Sequence, residues 1–489
     1  MAVVLALDCG THAVRVLAFD VETGASTLCG ERDIALSFPR PGSVEIDAEE
    51  LGDLAVLLVR SAVAWAAQAR QDVVGLGIAN MRETAIAWHR ETGRPLHPGV
   101  MWMSQQSQPV VKRWRDSGLD PLIRERTGLG NHAFFFGSKV AWLLEEAPAV
   151  REAAEAGALA VGTVDSWLLH RLTGAAIHRT DVSNASRTQL LNIHTAVWDE
   201  QLSVVLGVPL SCLPEVMPSM ALHGVTDPGV CGLEIPVTGV IADQQASLLG
   251  HGCERTGTAK ATFGTSGVVA MNTGATVALR PGMVTSIAWS DGRGPLMYEI
   301  EGSAFHSGYT MAWLAERTGV QLSPSLQMEP AHAPAQDRVY VLPSFTALGA
   351  PRWPARRGAV ITGLAMDTTT LDMMRAGIEA MAFQAYDMFV AIEDTTEIAE
   401  VNVDGGGATS DYLCQLLSNL VGRDVVRPTN RELTSAGAAK AALRGAGHET
   451  DVYFGQDRTS AERFHPISGD VYAQDGYQHW VELVGQILG

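Results

Sequence analysis

An aspartate stands where a strand pattern stops abruptly. Pro236 to Ala242 is an apolar, β-branched run, and Asp243-Gln244-Gln245 follows it directly, ahead of a small-residue pattern suited to a helix. Open α/β sheets bind ligands at the carboxyl ends of their strands, so a carboxylate there is placed to accept a proton from a bound hydroxyl. Just downstream, Phe263-Gly264-Thr265-Ser266-Gly267 joins two short apolar runs as a tight hairpin. Its glycines allow close backbone approach, and the Thr265 and Ser266 hydroxyls lie beside free N–H groups, which suits a phosphate. An N-capping Asp followed by an ordinary β-turn accounts for the same residues, so the stretch gains meaning only in company.

That company lies at two other strand ends. Val3 to Leu7 is a buried-strand pattern that runs into Asp8-Cys9-Gly10-Thr11, and Val14 to Asp20 is a second strand. At such a tip Asp8 can hold a magnesium ion directly or through water, and Arg15 on the second strand can approach a transferred phosphoryl group, although a plain hairpin turn is the simpler reading. Val401 to Val403 leads likewise into Asp404-Gly405-Gly406-Gly407-Ala408-Thr409-Ser410, with a helix pattern after it that suits adenosine or its phosphates. Three such turns suggest two copies of one nucleotide-gripping fold facing a cleft. The chain has no G-x-x-x-x-G-K-[ST] and no strand-linked G-x-G-x-x-G, which sets P-loop and dinucleotide-binding folds aside.

A different pair suits a hydroxyl-rich ligand. Met81-Arg82-Glu83-Thr84 ends the strand pattern VVGLGIAN, and there Arg82 can donate to hydroxyls while Glu83 accepts. A solvated ion pair is the plainer account. Trp102 can wall the carbon side of a sugar or polyol, though most tryptophans are core. The elements that must position these residues are legible too. Leu51, Leu54, Leu58 and Ala62 mark an amphipathic helix between Asp47 and Gln71, Gly137-Ser138-Lys139 opens another, and Thr370 to Glu393 forms a long one. The dense polar run Thr180 to Thr188 reads as a network tying helices to a sheet.

Composition bounds the class. The 489 residues, 46% hydrophobic and 18% charged with 49 glycines, describe a folded α/β enzyme of more than one domain. A formal charge of −19 opposes nucleic acid and anionic membranes as partners. The six cysteines form no C-x-x-C pair, so a reducing compartment fits and a zinc site does not. The apolar start meets Asp8 without a basic region before it, and no apolar stretch reaches spanning length, so a soluble cytoplasmic protein is expected.

Taken together, DCGTHAVR, NMRET, GSKVAWLLE, VGTVDSWLLHRLTG, TDVSNASRT, ADQQASLLG, FGTSG, FTALGAPRW and VDGGGATSDYLCQ with RPTNRELTSAGAA resemble the FGGY carbohydrate kinases, and within that family the glycerol kinases. The resemblance covers nearly the whole chain. It implies an actin-like ATPase fold of two duplicated RNase-H-like domains, 1–246 on the substrate side and 247–489 on the nucleotide side, around a central cleft. It also implies ATP and Mg2+ as cofactors, a small polyol or sugar as substrate, and a homodimer or higher homo-oligomer. By family pattern Asp243 is the base, Asp8 and Asp243 the metal contacts, and Thr11, His12, Arg15, Gly264, Thr265, Gly308, Met311, Gly406 and Ser410 the nucleotide contacts. Arg82, Glu83, Trp102, Phe134 and Gln244, with Asp243, fall at the acceptor positions. Departures cluster near the acceptor: Phe134 where the family has a tyrosine, Val268 in place of an aromatic, Ser104, Gln105 and Gln106 after the Trp, and His12-Ala13 in the first hairpin. Kinases of the family that act on ketoses, protein-directed actin- or Hsp70-like ATPases, and a regulatory pseudokinase are the rival readings.

Overall fold

A computed structural model describes residues 2–321, 329–331, 333–353, 358–393, 395–448 and 461–488. Two sheets of matching topology organise it. In the first, β1 (Ala2–Cys9), β2 (Ala13–Asp20) and β3 (Ser26–Asp33) are antiparallel neighbours. On the other side of β1, β4 (Asp72–Asn80) and β5 (Pro236–Ala242) run parallel to it. The second sheet repeats the order. Here β6 (Thr258–Phe263) pairs antiparallel with β7 (Gly267–Gly274), and β8 (Val284–Trp289) and β9 (Met297–Ala304) extend that side. Parallel to β6 lie β10 (Glu400–Asp404) and then β11 (Val425–Arg427). The repetition places the Asp8 and Phe263 strand ends at equivalent positions of two like sheets, with Asp404 ending β10 as Asn80 ends β4.

Local chemistry explains the elements. Helix α1 (Ala48–Ala69) starts at Asp47, whose carboxylate accepts from the N–H groups of Glu49 at 2.9 Å and Glu50 at 3.1 Å. Its buried stripe of Leu51, Ala55, Leu58, Val59 and Ala62 covers one face of the first sheet, as the spacing predicts. The long helix α2 (Thr370–Glu393) fills the core of the second half with Met381, Phe383, Met388 and Phe389. Among the described residues no helix is long and apolar enough to cross a membrane.

Two further helices join the halves. Helix α3 (Asp243–Gly250) continues directly from β5, and α4 (Leu433–Gly445), although it lies between strands of the second sheet in sequence, packs against β4, β5 and α3 of the first. The approach is so close that glycine is required. A Cβ on Gly77 would lie 2.2 Å from the Ala438 carbonyl oxygen, one on Gly239 would lie 2.3 Å from the Ala442 nitrogen, and one on Gly437 would lie 1.8 Å from the Ala246 carbonyl oxygen. Thr238 Oγ1 donates to the Ala442 carbonyl at 2.7 Å across the same seam. These contacts are backbone to backbone, so no side chain can rotate aside. Gly239→Ala is expected to destabilise the protein by about 1–3 kcal/mol through overpacking. Differential scanning calorimetry would register this as a lower Tm; an unchanged Tm would mean that the helix has room to move.

Candidate active site

The turn after β4 throws two charged side chains inward. Met81 N–H donates to the Cys9 carbonyl at 2.8 Å, holding the turn to the end of β1, and Glu83 takes φ 60°, which is costly for a residue with a Cβ. Both Arg82 and Glu83 are buried, so the solvated ion pair is not what forms. Instead, Arg82 Nη1 and Nη2 donate to the two carboxylate oxygens of Glu301 at 2.7 and 3.2 Å, while Arg82 Nε lies 3.3 Å from Asp243 Oδ1. Arg187 completes the cluster, donating from Nε to Glu83 at 2.6 Å and reaching Glu301 at 3.4 Å. Burial opposes the charge on Arg82, but the carboxylates of Glu301, Glu83 and Asp243 outweigh it and raise the pKa above that of a free guanidinium. Glu301 shows the converse: burial pushes it up, and Arg82 and Arg187 bring it down to about 2.

The polar run at Thr180 to Thr188 delivers Arg187. Asp181 caps the turn Val182–Ala185 through Ser183 N and Asn184 N, each at 2.9 Å. Asn80 Nδ2 donates to Asn184 Oδ1 at 2.9 Å, and Ala242 N donates to Ser183 Oγ at 2.9 Å. The ends of β4 and β5 are thereby tied together, as the expected network requires.

Asp243 is the first residue of α3, and its side chain remains a quarter exposed to the cleft. Burial pushes its carboxyl up to about 6, with Glu83 and Asp8 adding to the rise and Arg82 opposing it. Next to it, Gln244 Oε1 accepts from Lys260 Nζ at 2.6 Å, and Lys260 also reaches Thr262 Oγ1 at 3.2 Å. Asp8 accepts from Arg15 Nε and Nη2 at 3.0 and 2.9 Å and from Ser435 Oγ at 3.4 Å; burial raises its pKa against the pull of Arg15. Arg15 also pairs with Glu432 at 2.8 Å, so the two charges of the first hairpin hold each other.

One wall of the cleft is aromatic. Trp102 Nε1 donates to Thr11 Oγ1 at 3.0 Å and its ring meets Phe134 edge-on, with centroids 5.4 Å apart. The Phe134 carbonyl accepts from Lys139, whose ammonium is fully buried and pushed by burial down to about 7 while nearby Glu83 opposes the shift. On the opposite side the Gly264 turn packs against the start of the helix Ser307–Thr318: Gly308 N donates to the Gly264 carbonyl at 2.9 Å and Tyr309 N to the Thr265 carbonyl at 3.1 Å. A Cβ on Gly308 would sit 2.5 Å from the Gly264 oxygen. Gly405, at φ 85°, presses on Phe263, whereas Gly406 borders open space and Ser410 caps the helix Asp411–Val421 by accepting from Leu413 N at 3.3 Å. His12 is exposed at the first hairpin tip. Met311 is not brought to the cleft; it is buried in the core against Gly377 and Leu314.

The exposed Thr265 and Ser266 hydroxyls, the open space at Gly406 and the glycine contact at Gly308 form a cradle suited to a nucleotide. For a divalent cation, Asp8 and Asp243 are the carboxylates at hand. Among the described residues no group of three or more His, Cys, Asp or Glu surrounds a point.

Residues 3–250 match the N-terminal domain, and 259–446 the C-terminal domain, of the FGGY family of carbohydrate kinases. The chain belongs to that family. It is 38% identical to the glycerol kinase of Citrifermentans bemidjiense over 492 residues, covering 100% of this chain and 99% of the relative. To that of Leptothrix cholodnii it is 38% identical over 502 residues, covering all of both. The solved glycerol kinase of Plasmodium falciparum with ADP superposes with a TM-score of 0.91 at 26% identity, over 100% of this chain and 99% of that one. The xylulose kinase of Lactobacillus acidophilus, with a TM-score of 0.85 at 19% identity over 100% of this chain and 98% of that one, shares the fold. This FGGY kinase therefore has the actin-like ATPase fold and is a phosphotransferase acting on an alcohol group.

Glu301, Arg187 and Lys260 are the charged residues of the cleft floor that sequence reasoning missed. For Glu301 and Lys260 the one signal was charge inside otherwise apolar strand patterns, YEIEG and TAKATF, and for Arg187 its place in the polar run. Arg187→Met should leave Glu83 without its closest cation and destabilise the fold by about 3–5 kcal/mol. A thermal melt that fails to shift would show that Glu83 does not depend on that cation.

Proposed function

We propose that this kinase transfers the γ-phosphoryl group of ATP to a primary hydroxyl of a short polyol, with glycerol among its acceptors, and that Asp243 is the general base. The observation that carries the reading is the placement of Asp243: a partly exposed carboxylate with a pKa of about 6, 3.3 Å from Arg82 Nε and within the field of Glu83 and Asp8. A carboxylate so tuned is ionised at neutral pH yet basic enough to draw a proton from a hydroxyl as it attacks. Arg82 and Glu83 orient the acceptor's hydroxyls, and Trp102 and Phe134 cover its carbons, which favours an open chain over a ring. Gln244 lines the same side.

ATP with Mg2+, when bound, supplies the phosphoryl group and the charge neutralisation that its transfer needs. Gly264, Thr265, Gly308, Gly406 and Ser410 would hold the nucleotide, with Thr11, His12 and Arg15 toward its phosphates, and Asp8 and Asp243 would face the metal. The 1–246 half then serves the acceptor and the 247–489 half the nucleotide. The free cysteines, five of them buried, fit a reducing cytoplasmic setting.

Because only the ionised Asp243 can act as base, kcat/KM should level off above pH about 6 and fall roughly tenfold per unit below it. Asp243→Asn should lower turnover by about two to four orders of magnitude with nucleotide affinity little changed. Near-normal turnover of that variant would remove Asp243 from the role. At Phe134 one neutral hydrogen bond is missing relative to a tyrosine, worth about 0.5–1.5 kcal/mol or close to tenfold at most, so glycerol turnover should survive. In a coupled ATP assay over polyols and ketoses, glycerol should be turned over, and Phe134→Tyr should shift preference toward it. Strong activity on D-xylulose with none on any polyol would refute the acceptor class.

A further inference from the structure

Arg82 has five N–H groups, and the fold commits one from each terminal nitrogen. Both go to Glu301, which stands on β9 of the opposite sheet, 219 residues away in the chain. Nε lies 3.3 Å from Asp243. The Glu301 side chain is 3% exposed and that of Arg82 7%, so the pair lies in a medium where charge interactions are little screened. Glu301 also accepts from Arg187, which braces it from the far side.

We propose that Glu301 is a positioning residue for the transfer reaction: it holds the Arg82 guanidinium by both terminal nitrogens and so fixes the direction in which the arginine meets the acceptor and Asp243. The inference rests on the reading of Arg82 as an acceptor contact. Without Glu301, Arg82 would turn its terminal nitrogens to the nearest remaining carboxylate, and Asp243 would be held as an ion pair. The charged groups that bear on this site are Arg82 and Glu83 from the β4 turn, Asp8 from β1, Lys260 from β6, Arg187 from the polar run, Lys139 behind Glu83, and Glu299 beside Glu301 on β9. Glu299 makes a discriminating control. It is equally buried and on the same strand, but it accepts from Ser286 Oγ at 3.0 Å, and among the described residues no hydrogen bond or ion pair joins it to Arg82, whose charge reaches it only through space.

Steady-state kinetics with saturating ATP on Glu301→Gln, Glu299→Gln and Arg82→Gln tests the proposal. Loss of a charge-assisted pair predicts that Glu301→Gln raises acceptor KM by about ten- to hundredfold, with a smaller change in kcat and in nucleotide affinity. Glu299→Gln should leave acceptor KM unchanged. If Glu301→Gln does not fold, Glu301→Asp keeps the charge with a shorter reach, and acceptor KM should still rise. An acceptor KM unchanged by the Glu301 variant, where Arg82→Gln does raise it, overturns the role of Glu301 and leaves the acceptor reading intact. An acceptor KM unaffected by Arg82→Gln overturns both.

Discussion

Two guanidinium groups and two carboxylates, Arg82, Arg187, Glu83 and Glu301, are buried together at the junction of the two sheets. Removing an ion from water costs several kcal/mol even after relaxation, and only close, hydrogen-bonded partners offset it. The cluster meets that condition because its members come from three separate places in the chain, which must all arrive: the turn after β4, the polar run, and β9. The constraint therefore acts on the whole fold. The turn needs the strained Glu83 backbone, the run needs its Asp181 cap and the Asn80–Asn184 bond, and the second sheet must dock on the first at one position. A misplaced half would leave charges buried and unpaired, so the cluster penalises alternatives as much as it stabilises the native arrangement.

The same arithmetic explains what was legible in the sequence. Asp8, Asp243 and the Gly264 and Gly406 turns stood out because a strand that ends in Asp or Gly is a local pattern, and local patterns survive in one dimension. The polar run was also read correctly as a network, since so many short polar side chains cannot all face solvent beside apolar strands. Glu301 and Arg187 could not be assigned partners, because the contacts that define them span more than 100 residues. Arg82 and Glu83 were visible as a pair, but adjacency in sequence misled: their true partners are Glu301 and Arg187, and Arg82 Nε comes no closer to Glu83 than 4.0 Å. Met311 shows the opposite limit, where a position matched to a nucleotide contact carries a side chain that the helix turns into the core.

The glycine seam bears on which parts can move. Helix α4 belongs to the second half by sequence but is locked to β4, β5 and α3 by backbone contacts at Gly77, Gly239 and Gly437. Any rotation of the second sheet relative to the first must then be absorbed outside α4, in the connections that cross between the halves, among them residues 251–257 after α3 and 428–432 before α4. Glu432, in the second of these, pairs with Arg15 on β2 of the first hairpin, and Ser435, just beyond it, touches Asp8. A hinge displacement there reaches the first hairpin's charges directly. Asp243, by contrast, sits on α3 at the close-packed end of the seam, where β5 and α4 both hold it. For the proposed reaction, a proton acceptor fixed in this way keeps its alignment to the acceptor hydroxyl whatever the connections between the halves do.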